Sequence, residues 1–232
     1  MLESFRSLDF GVGGIVLIVL VLIFFSAMAA EKAAEKRNSE IKEWIAKYKW
    51  SFSPDPNREM FHQFHFLNHL SHGENRYCFD TFQGDWKGFD AIAFGFHFET
   101  YDEDDDGETE VDHHYLSVIA LKIEKSFPEL LIEPEGWLTR LGQFFGAQDI
   151  DFESVEFSNT FVVHSEDKKF AYDFCNTGMM EYLLQHPETA LELESDIIAI
   201  YFHRILDPAD LEPNLDHLVN IRRRMPEFLF RI

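Results

Sequence analysis

From Phe10 to Ala30 the chain reads FGVGGIVLIVLVLIFFSAMAA, 21 residues without a charge and with apolar residues on every side of a helix. At about 1.5 Å rise per residue such a helix reaches roughly 30 Å, the thickness of a bilayer core. A surface helix of a globular domain would show one polar face instead. The pattern changes at Glu31. EKAAEKRNSEIKEWIAKYKW is rich in alanine and charge, places Glu43 four residues before Lys47, and sets Ile41, Trp44, Ile45 and Tyr48 in a stripe, so it predicts a helix running on from the span. Pro54 and Pro56 are expected to stop it.

Beyond Trp50 the period shortens to two. In DAIAFGFHFETY the residues Ile92, Phe94, Phe96 and Phe98 alternate with small or polar ones, predicting a strand with one buried face. HHYLSVIALKIE is apolar and β-branched and predicts its antiparallel partner, with the polar run between them as a hairpin tip. Further on, FPELLIEPEGWLTRLGQFFG reads as a short strand at 130–133 and a helix over about 135–145. EFSNTFVVHSED reads as a strand, and KKFAYDFCNTGMMEYLLQH as a helix in two pieces broken near 176–178. TALELESDIIAIYFHRIL reads as two strands around Ser195 and Asp196, and 208 to about 225 as an amphipathic helix with Leu211, Leu215, Leu218 and Val219 on one face. Arg222, Arg223 and Arg224 fall in its last turn, where cations complement the helix dipole.

These elements predict an α+β fold: an N-terminal transmembrane helix followed by a mostly antiparallel sheet with packed helices. The expected divisions are a tail over 1–9, a transmembrane helix over 10–30, a basic stalk helix over 31–50 and an acidic soluble α+β domain over 51–232. A signal peptide is the rival reading of the span, since Ala27, Met28 and Ala29 resemble a cleavage site. Against it, the leader carries one arginine beside Glu3 and Asp9, and the apolar stretch is long.

Charge sharpens the picture. The 232-residue chain has a formal net charge of −22, and residues 50–232 alone carry −23. So negative a surface repels phosphate backbones, which argues against nucleic acid and favours a basic protein partner. Arg6 stands alone before the span, whereas Lys32, Lys36, Arg37, Lys42, Lys47 and Lys49 follow it. The positive-inside rule therefore predicts a single-pass protein of the cytoplasmic (bacterial inner) membrane with its C-terminal domain in the cytoplasm. Cys78 and Cys175 form no CxxC pair and are expected to be buried free thiols, as a reducing compartment would keep them.

Three constellations offer metal chemistry. Residues 100–114 hold eight carboxylates around one glycine, with Asp102, Asp104 and Asp106 at the first, third and fifth positions of an EF-hand loop. His113 stands where the bidentate glutamate should be, and strands replace both helices. An EF-hand is thereby rejected, and a solvated hairpin tip or an oxygen-rich cation site remains. FHQFHFLNHLSH spaces His62, His65, His69 and His72 so that a helix would gather four imidazoles on one face, a set able to hold zinc or copper. In QDIDFESVEF an extended strand would put Asp149, Asp151 and Glu153 on one side, opposite Ile150 and Phe152. The alternative reading of each is a polar edge of the fold. The sequence contains no GxxxxGK[ST], HExxH or GxSxG, so no catalytic residue is assigned and no cofactor is expected beyond a divalent cation.

The order of parts (the N-terminal span, KWSFSPDP at 49–56, FGFHFETY, FPELLIEPEG at 127–136 and DIDFESVEFSNTFVV at 149–163) resembles uncharacterised bacterial membrane-anchored proteins with a cytosolic α+β domain. That resemblance implies a tethered binding or scaffold module and carries no catalytic residue. The alternative is a metal-dependent enzyme or divalent-cation sensor using the histidine run or the acidic loop.

Overall fold

A computed structural model describes residues 12–103, 109–137 and 149–231. Helix α1 (Val12–Tyr48) is continuous, and the chain divides into two compact units, Met1–Trp44 and Ile45–Ile232. In the first unit every large apolar side chain from Ile15 to Phe25, and Met28, is exposed. By length and composition this helix is able to cross a membrane, a property shared by anchors and signal sequences. It ends earlier than the prolines require, because Lys49 adopts a left-handed φ of 58° directly after Tyr48.

The second unit is α+β. Strands β1 (Ser51–Ser53), β2 (Glu74–Trp86), β3 (Phe89–Glu103), β4 (Thr109–Pro134), β5 (Phe161–His164) and β6 (Ala190–Phe202) form one antiparallel six-stranded sheet. β4 is the spine: β3 and then β5 pair along one edge, and β6 along the other. The predicted short strand at 130–133 is the far end of β4. β2 and β3 meet in a two-residue turn, Lys87–Gly88, with φ of 54° and 93°, the backbone that matches strand twist.

Among the described residues four register shifts bend the sheet, each beside a residue in the left-handed region: one at Asn75 and one at Asp80 in β2, and two flanking the Phe127–Ser195 pair of β4 and β6. The shifts at Ser195 explain why residues 190–202 form one bulged strand where the sequence pattern predicts two. EFSNTFVV, expected as a single strand, divides into helix α3 (Val155–Thr160), capped by the Ser154 hydroxyl accepting from the Phe157 N–H, and the short β5. Helices α4 (Lys168–Phe174) and α5 (Thr177–Leu184) are the two expected pieces, α5 starting at an Asn176 cap. The helix expected over about 135–145 lies largely outside the described residues.

One face of the sheet carries Phe94, Phe96 and Phe98 of β3, Leu116 and Val118 of β4 and Tyr201 of β6. It is roofed by helix α2 (Arg58–Phe64) and a 3-10 turn at Asn68–Leu70, which insert Met60, Phe61, Phe64, Leu67 and Leu70. The alternation prediction names this face correctly, but β3 is buried on both faces from Ala91 to Glu99. On the second face Gly95 makes room for the Phe79 ring, since a Cβ there would lie 2.4 Å from it. Helix α6 (Pro208–Arg224) packs on β4 and β6, and the Ser117 hydroxyl accepts from the Leu206 N–H at its entry. Its terminal arginines do more than face the helix dipole. Arg222 is buried, donates to Glu124 at 2.8 Å and stacks on Phe230, while Arg224 stacks on Tyr182. Cys78 and Cys175 are both buried and unbonded to each other.

Candidate functional site

The histidine run does not form one helix. α2 stops at Phe64 with His65 as its C-cap, so His62 and His65 stay exposed while the chain turns His69 inward. His69 enters the roofed face of the sheet and is 1% exposed. Its Nδ1 lies 2.9 Å from Glu192 of β6 and its Nε2 2.7 Å from Glu133 of β4. The ring stacks on Tyr201 at 4.1 Å, and Trp137 meets it edge-on. Glu192 also accepts from the Tyr201 hydroxyl at 2.7 Å and from the backbone N–H of Asn68, so the 3-10 turn is fastened to the sheet. The second oxygen of Glu133 accepts no hydrogen bond among the described residues.

Burial by itself would lower the His69 pKa, but hydrogen bonds to Glu133 and Glu192, and then their charges, outweigh it and raise it to about 9. The imidazolium is therefore the resident form at neutral pH, with both N–H groups committed to carboxylates. Such a ring has no lone pair with which to abstract a proton or bind a metal. Burial, followed by the Glu192 charge, drives the Tyr201 hydroxyl well above its ordinary pKa, so it stays a donor.

Carboxylates continue outward from this pair. The register sets Glu129 and Glu194 on the same face as Glu192, with ligand oxygens of all three within 4.8 Å of one another. Glu166 and Asp167 rim the depression above Glu129 and Glu194. Burial, reinforced by Glu129 and Glu192, raises Glu194 to about 7, and burial raises Glu129 above its ordinary value. The Asn68 side-chain amide donates to Glu129.

The other predicted positions are dispersed. Asp149 pairs with His164 at 3.3 Å through an isolated bridge, and Asp151 and Glu153 are exposed outside any strand, with Ile150 buried between the first two. His72 is half-buried and lowered by burial and the His69 charge. Asp102 belongs to β3, while Asp104 and Asp106 lie outside the described residues. Glu129, Glu133, Glu192 and Tyr201 escape sequence reasoning because their partnership spans up to 124 residues. Their signal is a glutamate within an otherwise apolar strand, as in LLIEP and ALELE.

The sequence matches no protein-family model and no curated protein. Among solved structures, this chain is similar in fold to the crystal structure of the mycobacterial trehalose monomycolate transport factor A, TtfA, with a TM-score of 0.58 at 12% identity, covering 82% of this chain and 96% of that one.

Proposed function

We propose that this protein is a single-pass component of the cytoplasmic membrane whose acidic α+β domain faces the cytoplasm and acts as a binding or scaffold module, an accessory factor without catalysis of its own. The observation that carries this reading is the apolar stretch of the first unit, a helix whose large side chains from Ile15 to Phe25, and Met28, are all bare, a surface that only lipid or an equivalent apolar environment satisfies. The cations that follow the span favour the inward orientation. The likeness to a protein described as a transport factor fits an accessory role beside a membrane transporter, and the net −23 of residues 50–232 suits a basic cytoplasmic segment as the docking element. The closed state of His69 agrees, since this buried titratable cluster is spent on holding the fold.

A reporter fused after Ile232, combined with carbonate extraction and crosslinking in intact membranes, tests the reading. The expected result is a carbonate-resistant protein, a reporter active only in the cytoplasm, and one integral membrane protein recovered reproducibly by crosslinking. A mature chain beginning near Ala30, or a reporter active outside the cytoplasmic membrane, overturns it.

A further inference from the structure

We propose that His97, Glu99 and His113 form a binding site for a transition-metal ion, with zinc the best fit. The three residues come from neighbouring positions of the β3–β4 hairpin. Glu99 pairs with His113, and His97 lies two residues back along β3, so all three project from the face opposite the phenylalanine core.

Their donor atoms already converge. His97 Nε2 lies 3.0 Å from His113 Nδ1, which is 3.4 Å from Glu99 Oε1, and the triangle closes with 4.0 Å between Glu99 Oε1 and His97 Nε2. A point about 2.1 Å from all three atoms is the centre of that triangle, and zinc bonds to imidazole nitrogen and carboxylate oxygen are about 2.0–2.2 Å. In a tetrahedral zinc site the ligand atoms stand about 3.3 Å apart, so an ion displaced slightly toward solvent requires shifts of only a few tenths of an ångström.

The surroundings orient His97 and Glu99 as a metal site demands. His97 is 2% exposed, its ring stacked on Tyr77, and its Nδ1 faces the Asn75 carbonyl at 3.3 Å. Donation to that carbonyl puts the proton on Nδ1 and leaves the Nε2 lone pair pointing at the cluster. Asn75 is the left-handed residue of the first β2 bulge, and its side chain donates to Glu99 Oε1 at 2.7 Å. The Tyr101 hydroxyl donates to Glu99 Oε2 at 2.7 Å. These bonds from Asn75 and Tyr101 fix the Glu99 carboxylate with Oε1 turned toward the two imidazoles. The His113 side chain is 54% exposed, which supplies the entry path and an open coordination position for water. Two imidazoles in a set of three disfavour calcium and magnesium, which take oxygen ligands.

The ion would tie β3 to β4 where β4 is paired with β3 alone, since β6 begins its pairing only at Ser117. It would thus brace the root of the acidic hairpin.

The test uses the full chain, purified in detergent without a histidine tag and stripped with a chelator. Titration calorimetry with zinc chloride is expected to give one equivalent, and cobalt(II) the intense visible absorption of a four- or five-coordinate ion. His113→Ala, a change at an exposed side chain, is expected to weaken zinc on the order of 100-fold, and Tyr101→Phe about tenfold through loss of a bond that orients Glu99. His62→Ala and His65→Ala serve as controls and leave affinity unchanged. Wild-type affinity retained in His113→Ala, only the faint cobalt spectrum of an octahedral ion, or equal loss in the controls overturns the proposal.

Discussion

Two histidine–carboxylate clusters sit on opposite faces of the same sheet, and their difference lies in what surrounds the imidazoles. His69 is sealed under the 3-10 turn, holds a proton and gives both N–H groups to Glu133 and Glu192. His97 and His113 meet at the margin of the sheet, with a ring nitrogen of each gathered beside Glu99 and half of the His113 side chain in solvent. The same two residue types therefore make a latch on one face and a ligand set on the other. Two buried carboxylates outweigh the effect of burial and stabilise the His69 imidazolium, whereas the single carboxylate of the second cluster is already engaged by Asn75 and Tyr101.

The most severe way to break the comparison is His69→Ala. Removing the cation leaves Glu133 and Glu192 buried and facing each other, which costs about 3–5 kcal/mol and lowers the melting temperature by roughly 10 °C in calorimetry. Next comes the pH dependence of the latch. A folded pKa of about 9 against an ordinary 6.5 means that His69 contributes its full stabilisation below about pH 6.5 and loses it as pH rises through 9. Urea midpoints of the wild-type chain should therefore fall between pH 7 and 9.5, and the His69→Ala midpoint should fall less.

Glu194 has the opposite lesson. Its folded pKa of about 7 is above the ordinary 4.5, so the folded state prefers its protonated form, an advantage present below pH 4.5 and lost as pH rises through 7. Glu194→Gln is expected to stabilise the protein at pH 8 by about 1 kcal/mol, after allowing for screening at a half-exposed site, and to do little at pH 4. The smallest effect belongs to His113→Ala in metal-free protein, within about 0.5 kcal/mol by urea titration, because the side chain is largely in solvent. Zinc should raise the melting temperature of the wild-type chain and leave that variant unmoved.

The sequence shows the hairpin and even its register in outline, since Phe94, Phe96 and Phe98 declare which side of β3 is core and the acidic run declares the turn. It follows that His97 and Glu99 point the other way, yet His113 reads in one dimension only as the residue that spoils an EF-hand loop. The four-histidine face fails for a different reason. Its spacing requires a helix to continue past Phe64, and Leu67 and Leu70 gain more by inserting into the phenylalanine core than the backbone gains from another turn.

By itself the chain determines those features that depend on local period and on charge: an apolar helix of bilayer length, cations after it, an acidic body, alternating strands, and the capped helices at 177–184 and 208–224. Tertiary structure decides where the strands bulge, which glutamates the sheet buries together, and which histidines it seals between carboxylates or leaves at the sheet margin. Those properties depend on distances between residues up to 124 positions apart and on the water each group gives up, and neither quantity is encoded in any short window of sequence.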